Sequence, residues 1–364
     1  MNPPVKPGRS GLRITLAIAW KDILDSLKNK VLIGLLIGVA TLMVGALGIR
    51  MLVGGSGQPR IALAGPASRE LVRELRREFN LTANALNDRE SLEFELGQST
   101  APAVGVIIDG DVTQLAGSGG TVELQALTPY WVDPALARSA FDELETRLGQ
   151  LWDARVVIDS VSMVYPTLES GGQIVMIAAG LVNAIFIVGL YMTPGLIQEE
   201  KQNGTMASLL LSPAGMLHIV FGKSLAALAY CLVAAGAFCL MASSLIVHWG
   251  VLLAAILAGS IFAVMLGLVI GVYSEHAASM NLWLGLLLIL LLLPVVAQTL
   301  ASNLPGALAV VLSWLPGIAV GEIVRMSMTA SPVLPQLALD LVRILLPTLL
   351  LFGLSVWRIQ RQEV

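Results

Sequence analysis

The sequence predicts an α-helical polytopic membrane protein with six transmembrane helices and an inserted extracytoplasmic α/β domain. The 364 residues are 56% hydrophobic and only 13% charged, whereas soluble proteins average about 45–50% and about 25%. The charges are also uneven: Gly54–Ser170 holds 26 of them in 117 residues, and the other 247 residues hold 21. Apolar stretches of roughly 20 residues, the length that crosses a bilayer core, occur only outside this segment.

Residues 1–30 predict a cytoplasmic amphipathic helix that lies in the membrane interface. Its apolar side chains share one helical face, whereas Arg13, Lys21 and Lys28 lie away from that face. Tryptophan side chains are enriched at the depth of the lipid headgroups, so we expect Trp20 to lie there. The apolar face comprises Leu12, Leu16, Ala19, Trp20, Ile23, Leu24 and Leu27.

Six apolar segments predict the membrane spans. The sixth is the weakest, because it carries Asp340 and Arg343 in its first turns. The predicted spans are Val31–Val53, Ile174–Ile197, Leu225–Val247, Val251–Tyr273, Ala277–Ala301 and Ala338–Trp357. In domain terms, residues 31–53 form the first span, 54–170 the insert, 171–301 the second to fifth spans, 338–357 the sixth span and 358–364 a tail.

The insert, residues 54–170, shows the patterns of a small α/β domain. Short apolar runs at Ile61–Ala64 and Val104–Ile108 end in turn residues, as strands do. Val122, Leu124 and Ala126 alternate with polar residues, as in a half-buried strand. Two segments have helical spacing, and the second opens with a capping aspartate and a proline, Asp133-Pro134. Their apolar residues are Leu71, Val72, Leu75 and Phe79 in the first, and Leu136, Ala140, Leu144, Leu148 and Leu151 in the second.

The lysines predict the orientation of the spans. All six lysines lie before the first span or between the second and third, and the insert contains none. Basic residues near span ends favour the cytoplasm, so both termini are expected inside and residues 54–170 outside. We expect Lys223, at the start of the third span, to extend its ammonium group to the membrane surface.

The formal charge of −3 and the residue spacings exclude several classes of function. No basic surface for nucleic acid is indicated, and the histidines and cysteines lack the spacing of a metal site. Gly222-Lys223-Ser224 imitates the end of a phosphate-binding loop, but Leu217 stands where that motif needs glycine. We therefore expect no catalytic residue, metal or cofactor on this chain, and no nucleotide bound by it.

The loop at residues 198–216 carries the most informative motif. A charged stretch with Glu199 and Glu200 leaves the second span, Asn203-Gly204 breaks it, and a short apolar helix runs to Ser212-Pro213. A helix this short cannot bury its own apolar face, so we expect it to dock onto another protein. The residues in question are Glu199, Glu200, Gly204, Thr205, Met206, Leu209, Leu210, Ser212 and Pro213.

This loop, followed by Gly222-Lys223, resembles the signature loop of ABC-2 type permeases, the membrane subunits of ATP-binding-cassette exporters. Trp20-Lys21-Asp22 resembles the elbow helix of that family, and the layout resembles the subgroup with a large extracytoplasmic domain. The resemblance implies that the loop is a coupling helix for a partner ABC ATPase subunit, present in two copies, which holds the ATP and Mg. It also implies a second permease subunit, as a homodimer or heterodimer, in a bacterial or archaeal plasma membrane.

Charged and polar side chains at membrane depth form a second candidate group. Residues 302–337 contain four prolines among apolar residues, and the resemblance implies short outer re-entrant helices there. The pairs Glu322/Arg325 and Asp340/Arg343 are each spaced to meet on one helix face. They either line a translocation pathway or neutralise each other and fix helix position, which we favour. Asn183 and Gln298 are weaker pathway candidates, with helix-to-helix hydrogen bonding as the alternative.

Three functions fit this sequence. The first is a permease subunit of an ABC exporter, which moves an unidentified substrate across the membrane. The second is a mechanotransmitting subunit that acts on the outer domain and its partners without moving cargo. The third is a membrane scaffold without an ATPase.

Overall fold

The computed structural model describes residues 7–26, 38, 59–81, 83–99, 101–108, 120–168, 170–202, 216–274, 276–300 and 306–362. These residues fall into two compact units. One comprises Met1–Val44, Ile177–Ser327 and Ser331–Val364, and the other comprises Gly45–Met176 and Met328–Ala330. Apart from Gly38, the predicted first span lies outside the described residues, as do loop residues 203–215.

The second unit is built on a β-sheet that has five strands in the described part of the chain, in the order β2-β1-β3-β4-β5. Strand β1 is parallel to β2 and β3, while β4 is antiparallel to β3 and parallel to β5. In chain order the elements are β1 Arg60–Ala64, α2 Ser68–Phe79, β2 Ala83–Leu86, α3 Arg89–Gln98, β3 Ala103–Ile107, β4 Thr121–Pro129, α4 Pro134–Trp152 and β5 Arg155–Val164, with α1 Pro7–Ser26 preceding them.

Helices cover both faces of this sheet. Alternate residues of a strand point to opposite faces, and β1 therefore contributes to two apolar clusters. Ile61 and Leu63 pack with the buried residues of α2 and α4. Ala62 and Ala64 pack with Leu92 and Leu96 of α3 and with Leu127 of β4. The unit is thus a three-layer α/β/α arrangement.

Side-chain caps fix where helices of this unit begin. The carboxylate of Asp133 accepts hydrogen bonds from the backbone N–H groups of Ala135 and Leu136, and Pro134 follows at the first helical position. Asp88 accepts a hydrogen bond from the backbone N–H of Ser91 at 2.8 Å. This bond stabilises the charged carboxylate and lowers the pKa of Asp88.

The other unit is helical. Its elements after α1 are α5 Gln173–Gln202, α6 Met216–Met241, a 3₁₀ turn at Ser243–Leu245, α7 Trp249–Tyr273, α8 Ala277–Leu300, α9 Gly306–Ser313, α10 Pro316–Met326 and α11 Leu334–Gln362. Within the described ranges, four helical segments are long and apolar enough to cross a membrane: Ile174–Glu199, His218–Met241, Trp249–Tyr273 and Leu334–Arg358. Ala277–Leu291 is apolar but shorter.

Two predicted spans have different limits in the structure. The third was predicted as Leu225–Val247, but α6 runs over Met216–Met241. The backbone N–H groups of Val247 and His248 instead donate to the carbonyl of Ser327. Apolar composition continues through this turn, so hydropathy alone could not show where the helix ends. The sixth span was predicted from Ala338, whereas α11 begins at Leu334, because a proline is tolerated in the first turn of a helix.

Glycines bring the backbones of α5 and α7 close together. A Cβ atom on Gly267 would lie 2.8 Å from the carbonyl oxygen of Gly189, and one on Gly271 would lie 2.9 Å from the Cα of Pro194. Real Cβ atoms do not approach so closely. Small residues at such positions allow helices to pack backbone against backbone, as is common in membranes.

Candidate functional site

Helix α1 packs along the beginning of α6. A Cβ atom on Gly222 would lie 2.8 Å from Cγ2 of Ile18 and 3.0 Å from the carbonyl oxygen of Thr15. The hydroxyl of Tyr230 donates a hydrogen bond to the carbonyl of Ile23. The absence of a side chain at Gly222 therefore lets α1 lie directly against the first turns of α6.

A buried ion pair joins these two helices. Nζ of Lys223 lies 3.1 Å from Oδ2 of Asp22, and the side chains are 3% and 7% exposed. The prediction that Lys223 extends to the membrane surface is therefore wrong. Gly222 brings α1 close enough for the carboxylate to meet the ammonium group, and a paired charge is less costly to bury than an isolated one.

The opposite face of α1 is apolar and exposed. Leu12, Leu16, Trp20 and Leu24 are all exposed, and Lys21 lies beside them at the surface. The predicted apolar face also included Ala19, Ile23 and Leu27, but Ala19 is buried, Ile23 is half-buried and Leu27 lies outside the described residues. The predicted face was therefore too wide, since Ala19 lies on the side that carries Asp22 and contacts the protein.

The structure describes some of the predicted coupling residues, and the others lie outside the described residues. Glu199 is exposed in the last turns of α5, and the backbone of Glu200 belongs to the same helix. Gly204, Thr205, Met206, Leu209, Leu210, Ser212 and Pro213 lie outside the described residues. The helices on either side are described, and α6 resumes at Met216, shortly before Lys223.

The charged residues of α10 and α11 form one cluster. Nη1 of Arg343 lies 2.8 Å from Oδ1 of Asp340 and 3.7 Å from Oε2 of Glu322. The amide of Gln336 donates to both carboxylates at 3.2–3.3 Å. Asp340 is fully buried, so its charge depends on these partners.

The predicted ion pair Asp340/Arg343 is present, whereas Glu322 and Arg325 interact electrostatically without an ion-pair contact among the described residues. Among the described residues, the ion pair of Glu322 is with Arg343 of the neighbouring helix. Nε of Arg325 is buried without a described hydrogen-bond partner. One guanidinium thus serves two carboxylates on two helices, which spacing within one helix cannot reveal.

The structure describes fewer contacts for the two weaker pathway candidates, Asn183 and Gln298, than for the α10–α11 cluster. Oδ1 of Asn183, in α5, is buried and has no hydrogen-bond partner among the described residues. The backbone of Gln298 is helical in α8, and its side chain lies outside the described part. The structure does not bring Asn183 and the α10–α11 cluster together through any described contact.

Two contacts were not predicted from the sequence. Gln336, which bridges both carboxylates, was placed in the proline-broken segment and not considered. Lys223 was considered, but its partner lies 201 residues away. The available signal was Asp22 itself, a carboxylate next to the apolar face of a helix in the membrane interface.

Comparison with known proteins gives a family match for this chain. The family model described as "ABC-2 family transporter protein" matches residues 30–357. The chain belongs to the ABC-2 transporter family. No curated protein and no solved structure gave a match.

Membership of the ABC-2 family makes the chain a membrane permease subunit of an ABC transporter. The apolar helices of the structure agree with an integral membrane protein. The family also implies an ABC ATPase subunit as partner.

Proposed function

We propose that this ABC-2 permease is the membrane-spanning subunit of an exporter, in which ATP hydrolysis by a separate ATPase drives export of a substrate. In this proposal, two ATPase subunits hold the ATP and Mg and dock onto residues 198–216. A second permease subunit, identical or related, completes the pathway. The chain spans the membrane six times, with both termini cytoplasmic and residues 54–170 outside.

The observation that carries the proposal is the buried Asp22–Lys223 pair. Lys223 lies in the first turns of α6, directly after the loop that is proposed to meet the ATPase. Asp22 belongs to α1, whose outer face is apolar and exposed. A movement of the loop would therefore reach both α6 and the membrane-surface helix, because the ion pair and the close contact at Gly222 hold them together.

The packing of α5 against α7 supports the same mechanism. The loop is bounded by α5 on one side and α6 on the other, and α5 lies backbone to backbone with α7. A displacement at the cytoplasmic end of α5 is therefore shared by two spans. Helices packed this closely move as rigid bodies, as alternating exposure of a cavity requires.

The experiment compares co-purification of the ATPase and transport into vesicles. Leu209→Glu/Leu210→Glu is expected to abolish recovery of the ATPase subunit that co-purifies with the wild-type chain. Leu334→Glu, at an exposed position on the predicted outer side, serves as the control and should retain the ATPase. Equal recovery with both variants would contradict coupling through this loop. Wild-type vesicles with a working ATPase that accumulate no substrate would instead favour mechanotransmission.

A further inference from the structure

A groove between α7 and α8 combines an apolar wall with a polar end. Its volume is about 430 Å³. Leu266 and Val269 of α7 and Leu287 of α8 contribute the apolar part, and Trp283 lies between them and the turn. Ser274 and His276 line the end where the two helices meet. The groove is therefore amphipathic along its length.

A cation stacks on one of the residues at the polar end of this groove. The guanidinium carbon of Arg358, on α11, is 5.2 Å from the centroid of the Tyr273 ring, and Tyr273 lines the groove. Nε of Arg358 is buried and has no hydrogen-bond partner among the described residues. Stacking on an aromatic ring holds the guanidinium in place beside the groove, where its positive charge favours an anion.

The polar end lies at the level of the membrane surface. Tyr273 is the last residue of the candidate span Trp249–Tyr273, and Arg358 is the last residue of the candidate span Leu334–Arg358. The apolar wall extends from this level along the spans, where lipid acyl chains lie. A ligand that matches this order has an anionic group at one end and a hydrocarbon chain at the other.

We propose that the groove binds one anionic phospholipid. Its phosphate pairs with Arg358 and accepts hydrogen bonds from the rim at His276, and one acyl chain lies along Val269 and Leu287. The binding site does not depend on the proposed ATPase coupling, since it uses α7, α8 and the end of α11.

Native mass spectrometry tests this site on the full chain. The purified protein is held in detergent micelles with equal amounts of phosphatidylglycerol and phosphatidylcholine, and retained lipid is counted. We expect the wild type to retain one phosphatidylglycerol. One basic residue near a membrane surface contributes about fivefold to binding of an anionic lipid, so Arg358→Ala should lower its retention about fivefold.

The matched control is Arg361→Ala. Arg361 also stacks on an aromatic ring, with its guanidinium carbon 4.1 Å from the centroid of Trp357, but Trp357, unlike Tyr273, does not line the groove. Equal losses from both arginine variants would overturn the proposal in favour of a general basic surface. Equal retention of phosphatidylcholine by the wild type would also overturn it.

A second pair of variants tests the apolar wall and does not depend on the folding of Arg358→Ala. Val269→Trp fills the groove and should abolish retention of the lipid. Val233→Trp adds the same ring at an exposed position of α6 and should leave retention unchanged. If Val269→Trp retains phosphatidylglycerol as well as Val233→Trp does, the lipid does not occupy the groove.

Discussion

The ammonium group of Lys223 and the carboxylate of Asp22 form a buried ion pair, 3.1 Å apart, between α6 and α1. Burial removes both charges from water, so the pair contributes stability only while both partners are present. The loss of one partner and the replacement of both should therefore have different effects.

Asp22→Leu alone, or Lys223→Met alone, should lower the free energy of unfolding by about 3–5 kcal/mol, because each breaks a buried ion pair. The double variant Asp22→Leu/Lys223→Met should recover most of this loss. Denaturant titration in detergent measures all four proteins. A double variant as unstable as the sum of the single variants would show that the two charges do not interact.

Arg343→Met should lower the free energy of unfolding by about 3–5 kcal/mol, since Asp340 is buried and Arg343 is its ionic partner. The control is Arg89→Met in α3, which removes an exposed ion pair. The side chains of Arg89 and Glu93 in this pair are 54% and 44% exposed. Exposed pairs contribute about 0–1 kcal/mol. If both variants cost the same, the α10–α11 cluster does not hold the two helices together.

Gly271→Ala should destabilise the helical unit by about 1–3 kcal/mol, because its Cβ would lie 2.9 Å from the Cα of Pro194 and the crowding must be relieved by moving a helix. Gly236→Ala is the matched control within α6, where nothing lies within 4 Å of the new Cβ. That variant should be neutral or up to about 1 kcal/mol more stable. Thermal unfolding of the two variants checks the difference.

The cap at Asp88 should make helix α3 more stable at neutral than at acidic pH. The hydrogen bond from Ser91 lowers the pKa of Asp88 in the folded protein. The stabilisation is therefore complete above the pKa of the unfolded chain, near 3.9, and is lost as the pH falls through the lower folded value. Asp88→Asn keeps a capping oxygen without a charge, so α3 should lose this acid dependence.

Hydrogen exchange of the α3 amides, compared between wild type and Asp88→Asn at each pH, measures this effect. Protection of α3 in the wild type should fall as the pH drops from 6 to below 4, relative to its protection in Asp88→Asn. The same acid dependence in both proteins would show that other carboxylates control the stability of α3.

The local sequence pattern predicted helices and strands correctly where a segment contains its own capping residues or apolar run. The capping aspartate and proline at Asp133-Pro134 predicted the start of α4, and the apolar runs at 61–64 and 104–108 predicted β1 and most of β3. Strand β2 was missed because Ala83–Leu86 is short and weakly β-forming. Strand β5 was missed because Asp159 and Ser162 interrupt its apolar residues.

Pairings across the chain could not be predicted from such patterns. Arg343 reaches Glu322 on another helix, and Asp22 meets Lys223 from a helix 201 residues away. Each charge was visible in the sequence, but its partner depends on which helices pack together. Packing in this chain is set by small residues such as Gly222 and Gly267, whose role appears only when the facing backbone is known.

The contact of Gly267 and Gly271 with Gly189 and Pro194 has a further consequence for how a permease of this kind can change shape. Side chains between two helices act as a compliant layer that repacks by rotamer changes when one helix slides. At Gly267 and Gly271 that layer is missing, and α5 and α7 approach each other through backbone and proline atoms. The two helices therefore form one rigid body, and any change of shape must occur where this body meets its neighbouring helices.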